Sequence, residues 1–312
     1  MNLQRMALAV PVSLLAGSAF AQTIESCDTS FALERAPTRA ITLNQHATEI
    51  MLALGLEDRL IGTAYLDDTI PDQWLQAYNT VPVLSERYPA REVVLAENPD
   101  FLFAGFASAF NDTNLGAETE WHDIGIGTYV VNAECRNQHP PDMRMTTDPI
   151  FIDLERIGAL FDVEEAAGAS ATDIRTRLDA AATGAPGAGQ TAFLFDSGTD
   201  TAFSAGCCGA PGLLVETVGL ENIAGDVEGR WADLAWETVA TADPDVIILI
   251  EAEWSTAEEK RTHLETDPVL SQLRAVKEQS YVVVPFSETL LGLRFVDGVE
   301  RLAAGLEQLD FN

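Results

Sequence analysis

Two adjacent sulfurs in Gly206-Cys207-Cys208-Gly209-Ala210-Pro211 are the least ordinary chemistry in this chain of 312 residues. They stand just before a helix whose first turn would hold Pro211, near unpaired N–H groups of the kind that lower a thiol pKa. Three chemistries fit: a vicinal disulfide shaping a loop, a thiolate pair for a bare or thiol-reactive metal species, and unpaired structural thiols. As the nucleophile of a cysteine-dependent hydrolase, either sulfur would need a histidine beside it. The four histidines, His46, His122, His139 and His263, are scattered without ligand spacing, and no metal site is assigned to them. His46 reads as a polar contact to a ligand, and Met143 and Met145 beside His139 read as a linker rather than a copper site.

Basic residues are scarce, 18 against 49 acidic. An arginine in a loop is therefore a candidate for an anionic ligand group, and Arg87, Arg91, Arg230 and Arg294 stand out. An ion pair with one of the many carboxylates explains each of them equally well. Tyr65, Tyr88, Phe106, Trp231, Trp236 and Trp254 offer flat faces either for stacking on a planar ligand or for core packing. Turnover chemistry finds no support: there is no Walker loop and no Gly-x-Ser-x-Gly elbow. Gly125-Ile126-Gly127 lacks the third glycine of a dinucleotide fingerprint and precedes a strand.

Short apolar strands alternating with helices must position these groups. Strands are expected at Arg39 to Leu43, Leu60 to Ala64, Phe101 to Ala104 and Thr128 to Val131, then at Thr191 to Phe195, Val246 to Ile250 and Tyr281 to Val284. That alternation predicts α/β architecture with parallel sheets covered on both faces. In such sheets ligands bind at the carboxyl ends of the strands. The loops there nominate Asn44, Gln45, His46, Tyr65, Tyr88, Arg91 and Phe106 from the first half of the chain. The second half contributes Ser197, Asp200, Cys207, Cys208, Arg230, Trp231, Trp254 and Arg294.

A duplicated pattern divides the chain. Glu92 is followed seven residues on by Pro99-Asp100 and Phe101-Leu102-Phe103-Ala104, and Glu237 likewise by Pro244-Asp245 and Val246-Ile247-Ile248-Leu249-Ile250. Upstream, Gly55-Leu56-Glu57-Asp58 echoes Gly219-Leu220-Glu221-Asn222. Between the copies, residues 162–183 read as one long helix with acidic residues first and arginines later, the order a helix dipole favours. The expectation is two Rossmann-like lobes, 22–161 and 184–312, with parallel sheets joined by that single helix and a ligand cleft between them.

A net charge of −31 disfavours nucleic acid and anionic membrane as partners and suits saline surroundings, where screening is strong. Residues 1–21 read as a signal peptide: Arg5, the apolar stretch Met6 to Leu15, and Ala19-Phe20-Ala21 before the expected cleavage. Ser18 stands where a lipid-anchored chain would carry cysteine, so the mature chain is expected free in the periplasm. Export permits disulfides. Adjacent cysteines rarely bond to two separate distant partners, so the simplest pairing joins Cys27 to Cys135.

The stretch Arg39-Ala40-Ile41-Thr42-Leu43-Asn44, then Thr48-Glu49 and Ala53-Leu54-Gly55-Leu56, the two Glu-x6-Pro-Asp-apolar copies and the joining helix together resemble the periplasmic binding proteins of iron-chelate and cobalamin uptake. The likeness covers essentially the whole mature chain. It implies the solute-binding subunit of an ABC importer, monomeric, without resident cofactor. Its ligand would be a metal chelate carrying Fe3+ or cobalt, a ferric siderophore or a cobalamin-like corrinoid, delivered to a permease and its ATPase with only modest lobe closure. It also implies that Glu92 and Glu237 dock on permease arginines, a role that two carboxylates on matching exposed helix starts could fill. The family requires no cysteines at 207 and 208, so their three readings stand open.

Overall fold

The structure is a computed structural model that describes residues 22–309 and 311; the expected signal peptide lies outside the described residues. A hairpin, β1 (Gln22–Ser26) and β2 (Thr29–Leu33), leads into β3 (Ala40–Leu43), α1 (Gln45–Ala53), β4 (Leu60–Ala64), α2 (Asp72–Tyr78) and β5 (Val83–Ser85). The first lobe continues with α3 (Arg91–Ala96), β6 (Phe101–Ala104), α4 (Glu118–His122) and β7 (Gly127–Val130). Its five strands from β3 to β7 form a parallel sheet in the order β5-β4-β3-β6-β7. Next come α5 (Asp148–Leu160) and α6 (Glu164–Ala182). The second lobe begins with β8 (Thr191–Phe195), β9 (Ala202–Ala205), α7 (Ala210–Thr217), β10 (Glu221–Asn222), β11 (Trp231–Leu234) and α8 (Trp236–Ala242). It ends with β12 (Val246–Glu251), α9 (Ala257–Thr266), α10 (Arg274–Glu278), β13 (Tyr281–Pro285) and α11 (Phe295–Leu306). Its parallel sheet runs β10-β8-β12-β13, with β9 and β11 as a separate antiparallel pair. β3, β6 and β7 are buried at every position, as strands covered on both faces must be.

The duplicated motif is the same joint built twice. In the first lobe the Asp100 carboxylate accepts hydrogen bonds from the Thr38 amide, the Thr38 hydroxyl and the Arg39 amide, fastening the entry to β3. In the second, Asp245 accepts from the amide and hydroxyl of Thr191 at the start of β8. The Gly-Leu echoes also coincide: Gly55 (φ 70°) and Gly219 (φ 84°) take the left-handed conformation that ends a helix. The following Leu56 and Leu220 amides reach back five residues to Met51 O and Val215 O, and both side chains are buried. This is a Schellman ending with its apolar contact, made twice.

Nineteen residues of α6 run between the lobes, about 28 Å at the usual rise. The helix packs against α5 and α11, and Arg177 on it pairs with Asp297 and Glu300 of α11. The lobes also meet directly: Asp68 of the first lobe accepts from the Ser287 hydroxyl at 2.5 Å and from Arg294 at 2.7 Å. The largest apolar cluster includes residues of both lobes, from Ile50 and Tyr129 to Val284 and Phe295.

Local sequence sets several boundaries. α9 stops at Thr266, because Pro268 disfavours helical backbone before it and the Asp267 carboxylate takes the Val269 and Leu270 amides to start a new turn. α4 begins only at Glu118, since Gly116 has φ 78°. The β1–β2 hairpin packs on β7 and is bonded to the first lobe by the disulfide Cys27–Cys135.

Candidate ligand cleft

The carboxyl ends of both sheets open onto a cleft between the lobes. Lobe one contributes His46 at the start of α1, Phe106 after β6, and Val131, Ala133 and Glu134 after β7. From the other side come Ala210 and Pro211 of α7, Arg230 and Trp231 at β11, and Phe286, Leu290 and Leu291 after β13. In this structure those side chains leave a cavity of about 90 Å3.

His46 is held by a lack of space around it. A Cβ on Gly105 would stand 2.4 Å from the ring's Cε1, and one on Gly292 would stand 2.8 Å from His46 Cβ, so only glycines admit the ring between the lobes. Nε2 lies 2.6 Å from Gly105 O and therefore carries the proton, leaving Nδ1 buried without a partner. Burial lowers the pKa to about 4 despite that hydrogen bond, so the ring is neutral at physiological pH and presents a lone pair. Phe106 meets it edge-on at 4.8 Å.

Arg230 spans the cleft. Its guanidinium donates to Glu134 at 3.0 Å, to Ala133 O at 2.8 Å and to His139 O at 3.2 Å, all in the first lobe. Burial raises the pKa of Glu134, and Arg230 opposes the rise. Beside it Trp231 stacks on Phe203 at 5.0 Å; Trp254, half exposed, meets Phe286 edge-on at 4.8 Å without lining the cavity. Tyr65 and Tyr88 pack edge-to-face at 4.9 Å with the Arg87 guanidinium over Tyr65.

The remaining nominated residues have other work. Asn44 is buried, and its Oδ1 accepts from the Tyr88 hydroxyl and the Phe106 amide, so it braces those two aromatics. Gln45 is buried too, holding the Asp67 and Asp68 amides and donating to Glu49 and Asp68. Arg294 is buried where the lobes meet, bound to Asp68 and Glu288, and does not line the cavity. Arg91 pairs with Glu120 and covers Trp121 on α4, outside the cleft wall. Ser197 donates to Asp196, Asp200 is exposed, and neither lines the cavity. Cys207 and Cys208 are bonded to each other behind the wall formed by α7, so in this form neither offers a thiolate to a metal or a carbonyl. Among the described residues no group of three or more His, Cys, Asp and Glu could hold a metal ion.

Glu134 and Met145 were not nominated from sequence, though both line the cavity. Applied to β7, the rule of carboxyl strand ends points to residues 131–134; Met145 lies far from any strand end and gave no signal.

Two α/β lobes, a connecting helix bound to both, and a cleft at facing strand ends define a solute-binding protein. Residues 41–287 match the family model described as periplasmic binding protein, and the chain belongs to that family. It is 24% identical over 279 residues to an uncharacterized ABC transporter substrate-binding lipoprotein, YvrC, of Bacillus subtilis, covering 88% of this chain and 81% of the relative. A cobalamin-binding protein of Halobacterium salinarum is 24% identical over 229 residues, covering 72% of this chain and 57% of that relative. Among solved structures, a periplasmic binding protein from Veillonella parvula superposes with TM-score 0.80 at 27% identity, over 94% of this chain and 100% of that one. Among the described residues no helix is long and apolar enough to cross a membrane.

Proposed function

We propose that this chain captures a metal chelate, a ferric siderophore or a cobalamin-like corrinoid, and delivers it to the permease of an ABC importer. The observation that carries the reading is the make-up of the cleft: aromatic and aliphatic walls from both lobes, crossed by a single guanidinium and floored by a neutral imidazole. Such a surface suits a ligand with broad apolar faces and a few polar or anionic edges. The cobalamin-binding relative supports the corrinoid branch. Entry of a ligand of that size parts Arg230 from Glu134, and an anionic group on the ligand then takes the place of the carboxylate. The mature chain acts as an exported monomer, and Glu92 and Glu237, exposed in the first turns of α3 and α8, meet arginines of the permease.

The test is titration of the purified chain with a ferric hydroxamate and, separately, with cyanocobalamin, following tryptophan emission. Saturable quenching with micromolar or tighter affinity by one of them supports the reading, and no saturable binding of either refutes it. E92A/E237A is expected to bind as the parent does while failing to support uptake.

A further inference from the structure

The cysteine pair stands where the two lobes are tied together. Its loop is knitted to the chain entering β11: the Gly206 amide donates to Arg230 O, that of Cys207 to Val227 O and that of Cys208 to Gly229 O. No slack separates them, since a Cβ on Gly206 would lie 2.3 Å from Gly229 O and one on Gly209 2.6 Å from Arg230 O. From the other side Arg144 donates to Cys207 O, and Cys208 Sγ rests 3.4 Å from Asp142 O. Asp142 and Arg144 belong to residues 132–147, the same segment whose Ala133, Glu134 and His139 grip Arg230.

Two features fit this pair for a change of state. Each sulfur faces a carbonyl oxygen, Cys208 at Asp142 and Cys207 at Gly229, 3.9 Å away. A disulfide sulfur has no proton to give, whereas a thiol donates, so acceptors for the reduced form are already in place. The second feature is the helix start: Cys208 immediately precedes Gly209, the N-cap of α7, whose unpaired N–H groups favour a departing thiolate, while Arg144, which touches the loop, is itself paired with Glu216.

We propose that Cys207–Cys208 is a reversible two-electron redox site, reduced by an exported dithiol when its loop opens locally, whose state sets how firmly residues 132–147 hold the second lobe. Both cysteines are buried, Cys207 less deeply, at 9% exposure against 2%, so on that opening the reductant's thiolate bonds to Cys207 Sγ. The S–S bond breaks with its electron pair on Cys208 Sγ, which takes up a proton. The reductant's second thiol then displaces Cys207, leaving the reductant as a disulfide and both cysteines as thiols. Opening the small ring through the Cys207–Cys208 peptide restores its rotational freedom, and the contacts to Asp142 and Arg144 loosen with it.

The experiment uses the oxidised full chain in native buffer with graded dithiothreitol, followed by alkylation and peptide mass spectrometry. Hydrogen exchange of residues 132–147 is measured in parallel. The expected result is labelling of Cys207 and Cys208 at reductant concentrations that leave Cys27–Cys135 intact, with exchange in 132–147 several-fold faster in the reduced chain. C207S/C208S is expected to show no response to reductant. Labelling of both pairs together, or only in denaturant, overturns the redox assignment. Selective reduction with unchanged exchange overturns the link between the lobes. Neither result depends on a ligand, so both are separable from a failure of the chelate reading.

Discussion

Replacing Glu49 by glutamine tests the charge at the seam between the lobes. Glu49 on α1 is buried, accepts from Gln45 at 2.9 Å and stands 3.7 Å from Arg294, farther than Asp68 at 2.7 Å or Glu288 at 3.1 Å. Two guanidiniums, Arg294 and Arg301, already face two nearer carboxylates. A third negative charge would be in excess, and burial raises the Glu49 pKa from 4.5 to about 8 in spite of Arg294. The folded chain therefore binds more protons than the unfolded one between those values, and stability falls as pH rises through that window. At about 1.4 kcal/mol per pK unit the ceiling is roughly 5 kcal/mol, and relaxation around the ion should leave about half of it. Urea unfolding from pH 5 to 9 measures the effect. E49Q should match the parent near pH 5 and exceed it by about 2–3 kcal/mol near pH 9. A stability difference constant across the range, or a variant weaker by several kcal/mol at pH 9, would show that Glu49 is an ionised partner of Arg294 and refute the reasoning.

Other outcomes follow from the same contacts. D100A and D245A each remove a carboxylate that accepts two or three hydrogen bonds at a strand entry, and each should cost about 1–3 kcal/mol in denaturant unfolding. In G105A the new Cβ meets the His46 ring, so a loss of about 1–3 kcal/mol in stability is expected, together with weaker ligand binding in the fluorescence titration. R230A should weaken an anionic chelate about tenfold or more, the usual scale for a charged hydrogen bond. Unchanged affinity in that titration would remove Arg230 from the ligand site.

What was legible in the sequence was whatever a backbone joint requires locally. Pro-Asp before an apolar run and Gly-Leu after a helix each specify one geometry, so their repetition revealed two like lobes before any fold was seen. Runs such as Phe101 to Ala104 showed their burial by composition alone. The site was less legible because charge partners come from far along the chain. Arg230 and Arg294 look alike as scarce arginines, yet one lines the cleft and the other is neutralised by Asp68, 226 residues away. Asn44 and Gln45 sit at a strand end where ligand contacts are expected, but their amides hold neighbouring loops instead. The β1–β2 and β9–β11 pairs were missed because both lie outside the parallel sheets whose alternation guided the reading.

A protease that cut the turn at Gly184 to Gly189 would sever the chain without parting it. Arg177 would still clasp Asp297 and Glu300, Asp68 would still hold Ser287 and Arg294, and the shared apolar interior would stay closed over both fragments. The nicked molecule should migrate as one body on a sizing column and fall into halves only in denaturant, because its two pieces are folded into each other rather than hung on a common thread.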